Sequence, residues 1–230
     1  DGNWYFDEYS NHSTPSKSLL YDKNLKAKTL LVSTNKYDGY EIGTSEIKTL
    51  KSADGTTDLY TRLIKPSHFD SNKKYPVLVY VYGGPHAQLI TNSYLDGASL
   101  WMYWMAEQGY LIFTLDNRGS DNRGFAFESA IHRKLGTNEI DDQMKGVDYL
   151  KSLPYVDGNR LAVHGWSYGG FMTTSLLLRQ ADAFKVGVAG GPVTDWNYYE
   201  AMYGERYMDT PAENQLGYKE ASTLNYVKDL

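Results

Sequence analysis

The chain has 230 residues, 41% hydrophobic and 22% charged, enough to bury a sizeable core as one large domain or one domain plus a fragment of another. A formal charge of −5, with Lys and Arg scattered among Asp and Glu, leaves no basic block and excludes a nucleic-acid footprint. The absence of cysteine removes disulfides, thiolate metal sites and thiol nucleophiles together.

The start, "DGNWYFDEYS", has neither a basic nor an apolar leader, so any export signal would lie outside these residues. No stretch approaches the ~18 apolar residues of a membrane span. The first forty or so residues read as strands joined by polar turns: "NWYFDEYS", "KSLLYD" and "AKTLLVSTNK". From about Thr44 two alternating segments flank Asp54-Gly55, which predicts an antiparallel hairpin.

After Pro66 strand and helix patterns alternate. Residues 75–82, "YPVLVYVY", and 110–116, "YLIFTLD", are apolar runs of the length of buried strands, separated by a helical pattern over 95–109. Over 138–153, Ile140, Met144, Val147 and Leu150 fall on one helical face, with Asn138 as the expected N-cap and the carboxylates of "EIDD" suiting the helix dipole. "RLAVHGW" predicts a third buried strand, "YGGFMTTSLLLRQ" a helix and "FKVGVAGG" (184–191) a fourth strand. Short apolar strands alternating with helices mean a mostly parallel sheet with helices on both faces.

Between the third strand and its helix, Gly165-Trp166-Ser167-Tyr168-Gly169 fits G-x-S-x-G, a sharp turn that lifts a serine oxygen above the sheet. Glycines are needed where side chains would collide with the neighbouring strand and helix. The amide of Tyr168, at the start of the helix, is placed to bind a developing oxyanion. The same Gly-Ser-Gly turn also fits a tight connection or an N-cap, and the strand before and helix after are what favour Ser167 as a nucleophile.

Four segments together, "GWSYGGFM", "VYGGPHAQ" (81–88), "NRGSDNRG" and "GGPVTDWNYYEAMYGERYMD", resemble the prolyl oligopeptidase family, and within it the dipeptidyl peptidase IV branch. The resemblance covers essentially the whole chain. It implies an α/β-hydrolase fold over 44–230, preceded over 1–43 by the end of a β-propeller. It gives Tyr82 the role of second oxyanion donor through its hydroxyl, beside the Tyr168 amide. Tyr168, Val193, Trp196, Tyr199 and Tyr203 match the family's small apolar pocket for a proline side chain, a flat-walled slot suited to a rigid ring without an N–H. By spacing alone, Trp196, Tyr199 and Tyr203 share one face of a helix, and such a stripe is more often core than pocket. No metal or other cofactor is implied.

A serine of this type needs a base, yet His12, His68, His86, His132 and His164 all precede it and are read as structural or surface residues. His86 lies in the loop after Tyr82 with no orienting carboxylate apparent in the pattern. By the family's layout the triad acid and base lie beyond Leu230, and the acidic pair that grips a substrate's amino terminus lies upstream of Asp1. An apolar sheet edge is then expected near "FKVGVAGG", with association as a consequence, a homodimer among its forms. Arg118 and Arg123 are expected to brace their loop against acidic neighbours.

The implied activity is release of N-terminal dipeptides from peptides with proline or alanine second, through an acyl-enzyme, with this stretch inactive alone. Tripeptidyl or acylaminoacyl release, a carboxylesterase, and a non-catalytic domain on a hydrolase scaffold stay open as alternatives. The resemblance points to the periplasm or cell exterior.

Overall fold

A computed structural model describes residues 2–35 and 37–229. The alternating segments at the start form β1 (Trp4–Asn11), β2 (Thr14–Asp22) and β3 (Ala27–Val32), an antiparallel three-stranded sheet in chain order. Trp4, Phe6, Leu31 and Val32 are exposed on it, so the meander buries little of its own apolar surface.

A six-stranded sheet follows, in the order β4 (Thr44–Lys51), β5 (Asp58–Lys65), β7 (Leu111–Asp116), β6 (Tyr75–Tyr80), β8 (Val156–Trp166), β9 (Val186–Gly190). The β4–β5 pair is antiparallel, as Asp54-Gly55 predicts, and β5 runs antiparallel to β7. From β7 through β6 and β8 to β9 every pairing is parallel. Every residue of β7 is buried, because this central strand is covered on both faces.

The helices are α1 (Leu100–Glu107), the single turn α2 (Phe125–Glu128), α3 (Asn138–Ser152), α4 (Tyr168–Arg179), α5 (Ala201–Met208) and α6 (Gln215–Ala221). Leu59, Val77, Val79, Phe113, Leu115, Val147, Leu150, Val163, Phe171 and Leu176 meet in the main core. A smaller cluster packs Met102, Tyr103 and Ala106 of α1 against Ile64 and Ile112. Strands and helices in this order, wound around a mostly parallel sheet, make the α/β-hydrolase fold implied by the resemblance.

Three expectations are corrected. The helix read over 95–109 begins only at Leu100, because Leu95 (φ 59°) and Asp96 (φ 55°) take left-handed conformations that no helix continues through. Asn138 lies inside α3 and Thr137 holds the N-cap position; Asn138 donates to the Ala130 carbonyl instead. Its neighbour Glu139 does more than meet a helix dipole: it is buried and accepts the amides of Gly136 (3.0 Å) and Thr137 (3.0 Å). The expected strand over 184–191 is present as β9, the outer strand beside β8, with Val186 59% and Val188 60% exposed.

Candidate active site

The turn between β8 and α4 sets the site. Ser167 has φ 58° and ψ −116°, a conformation rare for a residue with a side chain, and the structure around it holds it there. Its amide donates to the Gly190 carbonyl at the end of β9 (2.8 Å), and its own carbonyl accepts the Phe171 amide (3.0 Å) as α4 begins. The two motif glycines allow this fit. A Cβ on Gly165 would stand 2.2 Å from the Val81 carbonyl oxygen, and one on Gly169 would stand 2.3 Å from the same oxygen. The elbow is thus pressed against the chain leaving β6, which carries Tyr82.

Tyr82 is half-buried, and its ring lies 5.9 Å from that of Tyr168. Burial raises the Tyr82 pKa above the ordinary tyrosine value, by more than the neighbouring Tyr203 hydroxyl lowers it. The loop is fixed from below. Asn117 donates to the Gly83 carbonyl (2.9 Å) and is itself held by Gln143 of α3 (2.9 Å).

The Tyr168 side chain is buried, and its hydroxyl donates to Glu139 Oε1 at 2.6 Å. Burial, followed by the neighbouring carboxylate, drives the Tyr168 phenol well above its usual pKa. Burial also pushes Glu139 up to about 7, against the opposing pull of its amide and tyrosine donors. Trp196 packs on Tyr168 (5.5 Å between ring centres), Tyr199 (5.6 Å) and Tyr203 (5.8 Å, stacked), and Tyr199 meets Tyr203 edge-on at 5.5 Å. Val193 is half-buried against the same core.

The expectation that Trp196, Tyr199 and Tyr203 share one helix face is corrected. Trp196 sits in a single 3-10 turn, 196–198, which the Asp195 side chain caps through the Asn197 amide, Tyr199 breaks to extended backbone, and Tyr203 belongs to α5. Packing of aromatic rings across that break, and no helical repeat, brings them together.

Each histidine has a partner other than Ser167. His12 pairs with Asp96 (2.9 Å), His68 with Glu41 (3.0 Å) and His132 with Asp209 (3.5 Å), while His164 bonds the Val188 carbonyl (2.7 Å). His86, in contrast to its reading from pattern, does have a carboxylate beside it, Glu128 at 3.6 Å. With Asp121 these two form the one group among the described residues able to offer a cation three ligand atoms, all within 4.8 Å of one another. Arg118 braces its loop as expected, through Asp142 (2.8 Å) and Asp54 (2.9 Å). Arg123 makes no ion pair among the described residues; its guanidinium lies over the rings of Tyr60 and Phe127, each 4.8 Å away.

Glu139, Asn117 and Gln143 were not singled out by sequence reasoning. Glu139 and Gln143 stand eight and four residues before the buried Val147, so they continue an inward face of α3, and polar residues in that register were the signal.

No helix among the described residues is long and apolar enough to cross a membrane. The chain is 38% identical over 227 residues to dipeptidyl peptidase 8 of Homo sapiens, covering 94% of the chain and 25% of the relative. A solved structure from Bacteroides ovatus, a putative dipeptidyl aminopeptidase IV, superposes with a TM-score of 0.96 at 57% identity over 99% of the chain and 32% of its own. Dipeptidyl peptidase 4 of Porphyromonas gingivalis gives 0.92 at 34% identity, with 99% and 33% covered. The chain therefore spans about a quarter to a third of the length of these relatives. Residues 97–230, which carry the elbow and every aromatic of the cluster except Tyr82, match the prolyl oligopeptidase family, and the chain belongs to it.

Proposed function

We propose that the chain is the nucleophile-bearing part of a serine exopeptidase that releases dipeptides from peptide amino termini, with proline or alanine preferred as the second residue. On this reading residues 44–230 belong to the catalytic domain and 1–43 to the end of a β-propeller. The observation that carries it is the Ser167 elbow, held in a left-handed conformation and pressed through Gly165 and Gly169 against the segment that presents Tyr82.

Ser167 Oγ attacks the carbonyl carbon of the second residue, giving its proton to a base that none of the five histidines supplies from its observed place. The carbonyl oxygen becomes an oxyanion, bound by the Tyr168 amide and the Tyr82 hydroxyl. Collapse breaks the C–N bond, the leaving amine takes the proton, and water hydrolyses the acyl-serine. On this reading the packed cluster of Trp196, Tyr199 and Tyr203, with Val193 and Tyr168, supplies the apolar surface for a pyrrolidine ring.

In the complete protein, Gly-Pro-p-nitroanilide should be cleaved and a fluorophosphonate should label Ser167. Tyr82→Phe should cut kcat about 10²- to 10³-fold, the usual loss of one oxyanion donor, with a small change in KM. Hydrolysis of p-nitrophenyl esters without dipeptide release would make it a carboxylesterase instead. Failure of both substrates and of labelling would leave only a hydrolase scaffold without catalysis.

A further inference from the structure

Glu139 has no part in the chemistry above, yet it is fully buried at the start of α3, directly behind the residue that follows the nucleophile. Every partner of its carboxylate is an uncharged donor: the Gly136 amide (3.0 Å), the Thr137 amide (3.0 Å) and the Tyr168 hydroxyl (2.6 Å). The turn that supplies the amides is itself clamped, since Arg179 Nη1 donates to the Gly136 carbonyl at 2.6 Å. A buried carboxylate without a cation is costly, so its anchoring bonds must offset the loss of water. Burial pushing this carboxyl up to about 7 reflects that cost.

The Tyr168 ring is the point where two parts of the site meet. One residue back along the chain is Ser167, and the Tyr168 amide belongs to the same peptide unit. The ring touches Trp196 (5.5 Å) on the pocket side and Tyr82 (5.9 Å) on the oxyanion side. Apolar ring contacts leave a tyrosine free to slide and tilt, whereas a short hydrogen bond at the far end of the ring fixes its depth. Among the described residues, the bond of this kind is to Glu139.

We infer that Glu139 is a positioning residue: through the Tyr168 hydroxyl it sets the depth of the Tyr168 ring, and so the width of the aromatic pocket and the aim of the adjoining oxyanion amide. The inference rests on the dipeptidyl peptidase reading of Ser167 and deepens it by assigning a determinant of preference for the second residue.

The test uses the complete protein, with rates expressed per serine titrated by a fluorophosphonate, so that loss of folded enzyme does not count. Glu139→Leu and Tyr168→Phe should each raise KM for Gly-Pro-p-nitroanilide about fivefold, the effect of one lost hydrogen bond. Each should also lower the preference for Gly-Pro over Ala-Ala substrates about threefold, and the double variant should be no worse than the poorer single one, because both cut the same bond. A merely structural role would lower the titratable fraction and leave KM and the preference unchanged, and that result would overturn the inference. Should Glu139→Leu not fold, Tyr168→Phe carries the test alone. If the wild type is labelled but releases no dipeptide, the substrate reading falls, and Glu139 is judged by its labelling rate: about a fivefold drop sustains its role, no change overturns it. Absence of labelling in the wild type overturns both.

Discussion

The elbow and the N-terminal meander are built from equally clear strand patterns, yet their dependence on their surroundings is opposite. Around Ser167 backbone packs on backbone, with Gly165 and Gly169 against the Val81 carbonyl and Gly170 against that of Gly190. In the meander, Trp4, Tyr5, Phe6, Leu30 and Leu31 stand exposed, and its link to the larger sheet runs through His12, whose carbonyl accepts the Leu95 amide (3.1 Å) and whose ring meets Asp96 (2.9 Å). Strand propensity alone therefore says little about what holds a segment in place. Close packing does, and it predicts where substitution is felt.

The largest effect is expected at Gly165. Gly165→Ala brings a methyl group to 2.2 Å from a main-chain oxygen that cannot move without shifting β6. The loss should exceed the ~4–5 kcal/mol that marks exceptional substitutions, most of the stability of an ordinary domain. Soluble expression and urea unfolding check this; a folded, near-wild-type variant would mean the elbow is looser than the contact implies.

Next comes Arg118, whose guanidinium bonds the fully buried Asp142 twice, at 2.9 and 2.8 Å. Asp142 also takes the amides of Ala53 (2.9 Å) and Arg118 (3.0 Å), so this pair ties the β4–β5 connection to α3. Arg118→Ala leaves a buried carboxylate without its cation and should cost about 3–5 kcal/mol by chemical denaturation. Asp142→Asn together with Arg118→Leu should recover part of that loss, because the uncompensated charge is gone.

A smaller effect depends on pH. Glu139 is raised from 4.5 to about 7 in the folded protein, so between those values the folded state keeps a proton that the unfolded chain has released. Its contribution to stability is therefore greatest below pH 4.5 and is lost as pH climbs through about 7. At about 1.4 kcal/mol per pH decade the swing is of order 3 kcal/mol. Asp116, raised by burial to about 6, acts in the same direction. Unfolding of wild type and Glu139→Gln at pH 5 and 8 should show the wild type losing stability relative to the variant; a constant difference would mean that Glu139 does not titrate in this range.

The legible features were those that local chemistry dictates. Apolar runs gave the strands, Gly-x-Ser-x-Gly gave the elbow, and 140, 144, 147 and 150 gave the core-facing side of α3, with Met144 only partly buried. What escaped depends on partners distant in the chain. Leu95 and Asp96 take left-handed conformations where Arg62 reaches from β5 to the Asp96 carbonyl. Trp196 and Tyr203 stack across a broken helix because Tyr168 and Phe171 provide the floor. Glu139 read as a dipole partner since a carboxylate in a first turn is ordinarily solvated, and only the fold brings Tyr168 to it. His86 read as unaccompanied because Glu128 lies 42 residues away (128 minus 86) on α2.

The smallest effect is expected where the meander meets the sheet. The His12 side chain is 48% exposed while Asp96 is 6% exposed, so solvent screens the pair from one side. Asp96 keeps a second partner in the Ser45 hydroxyl, so removing the imidazole does not strand its carboxylate. His12→Ala should therefore cost less than about 1 kcal/mol, a midpoint shift of only a few degrees for a chain of this size. Amide exchange should rise over β1 and β2 and stay unchanged in β7 and β8. If β7 and β8 also lost protection, the meander would be a working part of the core, and the contrast between a packed elbow and a lightly tethered sheet would be wrong.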